Sequence, residues 1–210
     1  LDSTIATPTA ALVSDSTDGV GGHATDGLTH SAALALSSAA SDVTRSYQIN
    51  GGSASSSYTP PTLDGSYTVD ITDTDAAGNT ASTSLSFTLD ATAPATPAAI
   101  GFNDNVPHDL DAASGLGALA SHHRTNDTTP TLSGTVEANA IVHIYNGSTL
   151  LTTLNADSSG AWSYTPTAFA QGSYTLTATA TDAAGNTSAA SNSLGFTVDT
   201  LATATLSGMT

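Results

Sequence analysis

The sequence has no cysteine, no lysine and only two arginines, Arg45 and Arg124, in 210 residues. Without cysteine, no disulfide bond can stabilise a domain, so the fold has to rely on packing, hydrogen bonds or bound ions. The 18 acidic residues give a formal net charge of −16, which repels nucleic acids and anionic membrane surfaces. We therefore expect no contact with nucleic acid or membrane by this segment, and the charge favours a monomer.

Long apolar runs are also missing from the sequence. None approaches the roughly 18 residues of a membrane-spanning helix, and the opening residues LDSTIATPTA do not form a charged and apolar leader. We expect the chain to be an excerpt of a longer protein. Only 10% of the residues are charged, and β-branched and aromatic residues recur throughout. This composition predicts a folded chain rather than a disordered one, and the length favours two domains.

The heptapeptide TDAAGNT occurs twice, at 74–80 and at 181–187. Each copy belongs to a longer parallel between residues 58–90 and 164–199, which share the motifs YTP, GSYT and DAAGNT in the same order. Self-similarity of this kind indicates a tandem repeat, in which each copy forms the same supersecondary unit.

A short acidic ending, LD or VD, closes each repeat at 1–2, 89–90 and 198–199. The predicted organisation is the end of a preceding repeat with its linker at 1–6, a first repeat at 7–90, a linker at 91–96, a second repeat at 97–199, and a linker or the start of a following repeat at 200–210.

Within each repeat, apolar residues alternate with polar ones, which is the period of a β-strand. The alternation is clearest at 67–72 and 173–181, and no segment shows a sustained helical period. NG at 50–51 and 146–147 favours tight hairpin turns, and DSSG at 157–160 predicts another turn. The strands predicted in the second repeat lie near 97–102, 130–136, 141–146, 148–155, 161–165, 173–181 and 191–199.

Seven short antiparallel strands in about 100 residues form the pattern of an immunoglobulin-like sandwich. The fold class predicted is therefore all-β, with two tandem immunoglobulin-like β-sandwich domains of about seven strands each. Leu36 and Tyr58 are 22 positions apart, whereas Leu132 and Tyr164 are 32 apart. We thus expect the first repeat to be shorter, with a hairpin lost or reduced in its middle. Trp162, the single tryptophan, is predicted to lie in the core.

The second repeat resembles the bacterial immunoglobulin-like repeats of giant biofilm-associated and type I secreted, RTX-type adhesins. The resemblance rests on TNDTTPTLSGTVEANAIVHIYNGSTLLTTLNADSSGAWSYTP followed by GSYTLTATATDAAGNTSAASNSLGFTVD, and in the first repeat on INGG, YTP and DAAGNT. It implies a calcium-loaded extender, or stalk, on the bacterial cell surface, built from many such domains. In this family, ligand binding for adhesion and biofilm formation is concentrated in other domains near the tip, so the partners expected here are neighbouring repeats.

The topology of such a sandwich predicts where the acidic residues meet. The two DAAGN loops face the preceding domain, while the ends of the last strands and the first long loop of each repeat face the following one. Crowded carboxylates repel one another unless a cation lies between them, and oxygen ligands select Ca²⁺, so several Ca²⁺ ions are expected at interdomain junctions and loop poles. The candidate ligands are Asp2, Asp15, Asp26, Asp75, Asn79, Asp90, Asp104, Asn105, Asp127, Asp182, Asn186 and Asp199.

Simpler interpretations stay open for both sets of residues. DAAGN can be a hairpin turn alone, in which the Asp accepts hydrogen bonds from its own backbone and the Gly supplies a positive φ. FNDNVP at 102–107 brings Asp104 and Asn105 close to a possible site with Asp127 and Asp199, but an Asx turn that closes the long loop explains it equally well.

The long loop 103–129 supports the alternative function, a glycan- or receptor-binding module. It contains the possible metal ligands His108, Asp109, Asp111, His122 and His123, although solvated loop histidines are the ordinary outcome. No nucleophile elbow, phosphate loop or zinc-protease motif occurs in the sequence, so we do not expect an enzyme.

Overall fold

A computed structural model describes residues 4–15, 27–104 and 123–200. All regular secondary structure within these ranges is β-strand, as expected from the alternating pattern. The same residues include no helix that is long and apolar enough to cross a membrane. The predicted all-β class is confirmed.

The chain folds as two compact units. The first is Leu1–Ala93 together with Asp182–Asn186, and the second is Pro94–Thr181 together with Thr187–Thr210. The short segment Asp182–Asn186 is the second DAAGN loop, so this loop belongs to the first unit although the strands beside it belong to the second.

The described strands of the first unit are β1 (Ala10–Leu12), β2 (Leu28–Thr29), β3 (Leu34–Leu36), β4 (Thr44–Ile49), β5 (Gly65–Thr74) and β6 (Thr80–Leu89). They form a two-stranded sheet, in which β1 pairs with β3, and a four-stranded sheet of order β2-β6-β5-β4. β5 and β6 form a long antiparallel hairpin, whereas β2 pairs with β6 in parallel.

The core of the first unit follows directly from the strand period. Val69 and Ile71 of β5 are fully buried, and Phe87 and Leu89 of β6 pack beside them. Tyr47, Tyr58 and other half-buried residues cover this cluster. The alternation predicted for β5 is confirmed, because every second side chain faces the other sheet.

The described strands of the second unit are β7 (Gly101–Asn103), β8 (His123–Thr125), β9 (Thr131–Thr135), β10 (Ile141–Asn146), β11 (Thr149–Asn155), β12 (Ala161–Tyr164), β13 (Gly172–Thr181) and β14 (Leu194–Val198). They form a five-stranded sheet of order β11-β10-β13-β14-β8 and a three-stranded sheet of order β12-β9-β7.

The core of the second unit is larger and more aromatic. Phe102, Phe169 and Phe196 lie together, with the Phe102 and Phe169 ring centroids 4.9 and 5.3 Å from that of Phe196. Trp162 is 4% exposed and belongs to the same cluster, which confirms its predicted core position. Each ring removes a large apolar surface from water, which offsets the absence of disulfide bonds in this chain.

Two strands differ from the sequence prediction. The strand expected at 97–102 is observed as β7, at Gly101–Asn103, and β8 was not predicted. β8 has three residues, too few to show alternation, and it pairs in parallel with β14, about 70 positions later in the chain. The described residues therefore show six strands in the first unit and eight in the second, rather than about seven in each.

The shortened hairpin of the first repeat is confirmed. In the second unit β10 pairs with the whole of β11 across a two-residue loop at 147–148. In the first unit the counterpart of that pairing is a single bridge between Tyr47 and Ser55. β4 therefore has one regular neighbour, whereas β10 has two.

A buried ion pair is the main departure from apolar packing in the first unit. Asp73 occupies an inward-facing position of β5 and is 4% exposed. Arg45 donates from Nε and Nη2 to the two carboxylate oxygens of Asp73, each at 2.7 Å, and from Nη1 to Ser37 O at 2.6 Å. The hydrogen bond to Asp73 is the main cause of a raised Arg45 pKa. At the matching place in the second unit, β10 and β13 align the fully buried Val142 with Ala180.

This contrast predicts a non-additive pair of substitutions. Asp73→Ala or Arg45→Val alone leaves one buried charge unpaired and should lower the free energy of unfolding of the first unit by about 3–5 kcal/mol. The double variant copies the apolar pair of the second unit and should recover most of that loss. Circular dichroism during denaturation should show the change, while the fluorescence transition of Trp162, which reports the second unit, should not move. Asp70→Ala, at a half-buried position on the opposite face of β5, is the matched control.

Close packing also makes a prediction for the second unit. Gly134 pairs with Trp162, and a Cβ at Gly134 would lie 2.6 Å from Trp162 Cζ2. Gly134→Ala should therefore destabilise the second unit by about 1–3 kcal/mol through overpacking, measured as a shift of the Trp162 fluorescence transition. In Gly195→Ala the nearest atom to the new Cβ, Tyr174 O, is 4.0 Å away. Equal losses in the two variants would contradict a steric origin.

Candidate functional site

The first DAAGN loop is a turn closed by its own aspartate. Asp75 Oδ1 accepts hydrogen bonds from the backbone N–H groups of Ala77 (2.9 Å) and Asn79 (2.8 Å), and Asp75 Oδ2 accepts one from Asn79 Nδ2 (2.7 Å). Gly78 has φ +91°, a conformation that L side chains rarely adopt. The predicted turn is therefore present. The hydrogen bond from the Asn79 side chain is the main reason that the pKa of Asp75 is lowered.

The second DAAGN loop repeats this geometry almost atom for atom. Asp182 Oδ1 accepts from Asn186 N at 2.8 Å, Asp182 Oδ2 accepts from Asn186 Nδ2 at 2.9 Å, and Gly185 has φ +92°. Within the first unit, Asn186 Nδ2 also donates to Asp90 O at 2.8 Å. His30 Nδ1 lies 3.0 Å from Ala184 O in the same unit. The loop thus contacts the residue that follows β6.

A buried threonine organises the acidic end of the first unit. Thr29 is fully buried in β2, its Oγ1 lies 2.9 Å from Ser31 O and contacts Ser14 O, and its own carbonyl accepts from Asp90 N at 2.9 Å. Thr29 therefore contacts both Ser14, the residue before Asp15, and Asp90, the residue after β6, and brings them close together.

The carboxylate of Asp15 is the unusual group at this end of the unit. Asp15 Oδ1 is buried and has no hydrogen-bond partner among the described residues. An unsatisfied buried carboxylate oxygen costs free energy, so such a group calls for a donor, a water molecule or a cation.

Thr125 plays the same part in the second unit. Its Oγ1 donates to Asp104 Oδ2 at 2.7 Å and accepts from Asp127 N at 2.9 Å, and its carbonyl accepts from Asp199 N at 2.8 Å. Three predicted ligands, Asp104, Asp127 and Asp199, are thereby brought around one residue. Arg124 forms an ion pair with the Asp199 carboxylate and offsets part of the negative charge.

Asp127 also forms an Asx turn, which is the alternative to a cation site in this segment. It is 1% exposed, and its Oδ1 accepts hydrogen bonds from Thr129 N (2.7 Å) and Thr129 Oγ1 (3.2 Å). An Asx turn is therefore present after β8. In this turn, both hydrogen bonds from Thr129 go to Oδ1 of Asp127.

The two threonines were missed in the sequence because each looks like an ordinary strand residue. A signal for them exists: Thr29 precedes Leu36 by seven positions, and Thr125 precedes Leu132 by the same seven. Each threonine lies on a short strand that pairs in parallel with the last strand of its repeat. Aligning the repeats on these leucines identifies the pair.

The remaining predicted ligands lie outside the described residues, namely Asp2, Asp26 and Asn105. The same holds for 105–122, most of the long loop, so the binding-module alternative and its histidines stay predictions. Among the residues that the structure describes, no group of three or more His, Cys, Asp or Glu side chains is placed to hold a metal on its own. A cation at either acidic end would need carbonyl, hydroxyl or water oxygens as further ligands, which is common for Ca²⁺.

The sequence model for the bacterial Ig-like domain matches residues 4–91 and 103–200. No curated protein matches the chain. Among solved structures, the fibronectin(III)-like modules of Clostridium thermocellum CbhA are similar at 9% identity over 79% of this chain and 83% of theirs, with a TM-score of 0.47.

Two similar structures are longer than this chain. The BSP domain of a biofilm associated protein is 15% identical over 93% of this chain, with a TM-score of 0.35. A Ca²⁺-stabilized adhesin that helps an Antarctic bacterium reach out and bind ice is 23% identical over 97% of this chain, with a TM-score of 0.38. The chain spans 30% and 51% of the length of these two structures.

The hydrogen bonds of Asp75 predict an acid-sensitive contribution to the stability of the first unit. Because its folded-state pKa is lowered, this contribution is present above the unfolded pKa of about 4 and is lost as the pH falls through the folded value. In Asp75→Asn, the stability of the first unit should therefore fall less steeply than in the parent below about pH 4. Denaturation followed by circular dichroism from pH 7 to acid measures this. Asp42→Asn, a substitution of an exposed acid in another loop, is the control, and parallel pH curves for parent and Asp75→Asn would contradict the prediction.

Proposed function

Because the chain belongs to the bacterial Ig-like domain family, we propose that it is a structural extender segment of a large cell-surface adhesin. Two similar sandwiches follow each other in one chain, and the shared DAAGN loop lies at equivalent positions in both. Tandem modules of this kind are suited to length and stiffness, since each repeat contributes the same increment. The segment would project a distal ligand-binding region for adhesion and biofilm formation outside the bacterial cell, after type I secretion.

Calcium binding at the acidic ends is the second part of the proposal, and one observation carries it: the buried Asp15 Oδ1 without a partner among the described residues. Asp15 lies beside Ser14, whose carbonyl contacts Thr29, and Thr29 binds the Asp90 backbone. The ligands offered there are carboxylate and carbonyl oxygens, which suit a hard cation. Asp26, which follows in the same loop of the sequence, is a further candidate.

In the second unit the corresponding ligands are Asp104, Asp127 and Asp199 around Thr125. Thr125 donates a hydrogen bond to the Asp104 carboxylate and Thr129 donates one to the Asp127 carboxylate, so hydrogen bonds hold both groups in place. Asn105 and the following repeat could complete this set, as Asp2 could at the first repeat. Bound Ca²⁺ would supply positive charge that lowers the repulsion among these carboxylates.

The two DAAGN loops have a different part in this proposal. Three of the hydrogen bonds to the Asp75 carboxylate come from its own loop, so the turn does not depend on a cation. Any ligand from Asp75, Asn79, Asp182 or Asn186 would have to bind the cation alongside the hydrogen bonds of the turn. The repeated heptapeptide is thus foremost a rigid turn.

Rigidity would depend on the surrounding calcium concentration. The carboxylates of a chain with a formal charge of −16 repel one another where the cation is scarce, as inside a cell. Outside the cell, millimolar calcium would stabilise the acidic ends and stiffen the stalk, because extracellular modules bind Ca²⁺ with Kd on the order of 10⁻⁴ to 10⁻³ M.

A calcium titration tests the proposal. Calorimetry on the chelator-stripped chain should show saturable binding of more than one ion, and small-angle scattering should show a longer, stiffer particle with calcium than with chelator. At ten times Kd, each site adds about 1.4 kcal/mol to the unfolding free energy. A chain that takes up no calcium, with the same melting temperature in both conditions, would contradict the calcium part of the proposal.

Asp15→Asn gives the sharpest comparison. In chelator this variant should be as stable as the parent or more so, since it removes a charge whose buried Oδ1 has no donor among the described residues. In calcium it should bind fewer ions and lose the stabilisation that the parent gains. In calcium, Asp104→Asn should likewise bind fewer ions and lose the calcium-dependent stabilisation of the second unit. Asp70→Asn removes the same charge from a half-buried position on the face of β5 opposite Asp73, and should leave calcium binding unchanged.

A further inference from the structure

Among the described residues, the strand β11 forms an outer edge of the five-stranded sheet in the second unit. The sheet order is β11-β10-β13-β14-β8, and β10 is the only strand that pairs with β11 in the described structure. In an antiparallel pair, alternate residues direct their backbone N–H and C=O groups away from the partner. Along Thr149–Asn155, half of these groups are therefore directed to the outer side of the sheet, where they can pair with another strand.

This edge lacks most of the features that prevent strands from pairing. The segment 148–155, STLLTTLN, contains no charged residue, no proline and no glycine. Leu150 is 50% exposed, and Thr153 is exposed as well. Uncharged segments of about six or seven β-forming residues at a sheet edge are the usual sites of strand addition.

Two other sheet edges of the described structure, β8 and β4, are better protected. At the far side of the same sheet, β8 has only three residues, one of which is Arg124. In the first unit, the outer side of β4 is bridged through Tyr47 to Ser55. A register shift between Ile144 and Tyr145 distorts the β10–β11 pairing near its turn, but from Thr152 to Asn155 the pairing is regular.

We propose that β11 is a pairing edge for a second copy of this chain, with the two β11 strands antiparallel around a two-fold axis. Two identical edges are complementary in that arrangement, because each presents the same alternation of N–H and C=O groups to the other. The product is one continuous ten-stranded sheet, twice the five strands of the single unit.

Charge supports a second copy rather than a partner of opposite charge. A ligand attracted by electrostatics would bind where the 18 acidic residues are, and none of them lies in 148–155. Two copies, each with a formal charge of −16, can approach most closely where neither carries charge. The net repulsion keeps the contact weak, so single chains stay monomeric when dilute. Many repeats on facing surfaces would add their contacts through high local concentration.

Crosslinking tests this contact on the whole chain. The sequence has no cysteine, so Thr153→Cys introduces a single thiol near the middle of this edge strand. With a short bis-maleimide, this variant should form covalent dimers about tenfold faster than Thr175→Cys, since pairing raises the local thiol concentration. Thr175 is equally an exposed threonine of the same sheet but lies on β13, which is flanked by two strands.

Charge substitutions separate strand pairing from general electrostatic attraction. In sedimentation velocity at high protein concentration, Thr153→Lys and Thr153→Asp should both abolish the concentration-dependent dimer of the parent, because like charges would oppose each other across the two-fold axis. A general attraction to the acidic chain would instead strengthen with Lys and weaken with Asp. Added salt should strengthen the dimer of the parent, since it screens the repulsion between the two copies.

The outcomes distinguish the possible occupants. Equal crosslinking of the two cysteine variants, with a parent that stays monomeric at every salt concentration, would overturn the proposal. A monomeric parent that binds an extended Ser/Thr/Leu peptide at this edge would also overturn it, and would assign the edge to a foreign strand. All measurements are made in chelator, so the result is independent of the calcium proposal.

Discussion

Accommodating negative charge is the constraint on which both units depend. With 18 acidic and two basic residues, ion pairs can satisfy very few carboxylates. Many of the described ones instead accept hydrogen bonds from nearby N–H and O–H groups: Asp75 from its own loop, Asp104 from Thr125, Asp127 from Thr129 and Asp157 from Ser159. These local bonds rigidify turns, and turn residues thereby become fixed points at the ends of each sandwich.

Against this background, exceptions are informative. Asp73 is buried on a core-facing position, and one of the two arginines is committed to it. Asp15 has a buried oxygen that no described group satisfies. The first exception is resolved inside the protein by Arg45. The second is not resolved by any described residue, and for this reason the acidic end of the first unit is the part of the structure that best supports a bound cation.

The two units solve the same folding problem with different local chemistry. A parallel pairing of a short strand with the last strand occurs in both, with Thr29 in one and Thr125 in the other. The β4–β5 pairing of the first unit contains the Arg45–Asp73 ion pair, whereas the matching β10–β13 pairing of the second unit has the apolar residues Val142 and Ala180 at that place. The second unit keeps a full β10–β11 hairpin and an open edge. The two repeats therefore share the pairing of a short strand with the last strand but differ in the hairpin at the edge of the larger sheet. For this reason one repeat can offer a pairing edge that its neighbour lacks.

Local physical chemistry explains how much was visible in the sequence. Several features follow from short stretches of sequence and from comparing the two repeats. They are the strand period, the turns at 157–160 and in DAAGN, the shortened hairpin and the core position of Trp162. β8 and the Arg45–Asp73 pair do not follow in this way, since each is defined by a partner far away in the chain. Position alone makes Asp70 half-buried and Asp73 buried on the same strand, and composition does not distinguish them.

The sequence by itself determined that this chain is an all-β tandem repeat with acidic turns, because alternation and turn residues act over neighbouring positions. Only the tertiary structure decided which of the acids come together. Thr29 and Thr125 gather residues from the beginning and the end of each repeat, and such long-range contacts depend on how strands pair rather than on any local pattern. The open edge of β11 is likewise a matter of sheet order: its uncharged sequence permits pairing, and its place beside β10 alone leaves the outer side available.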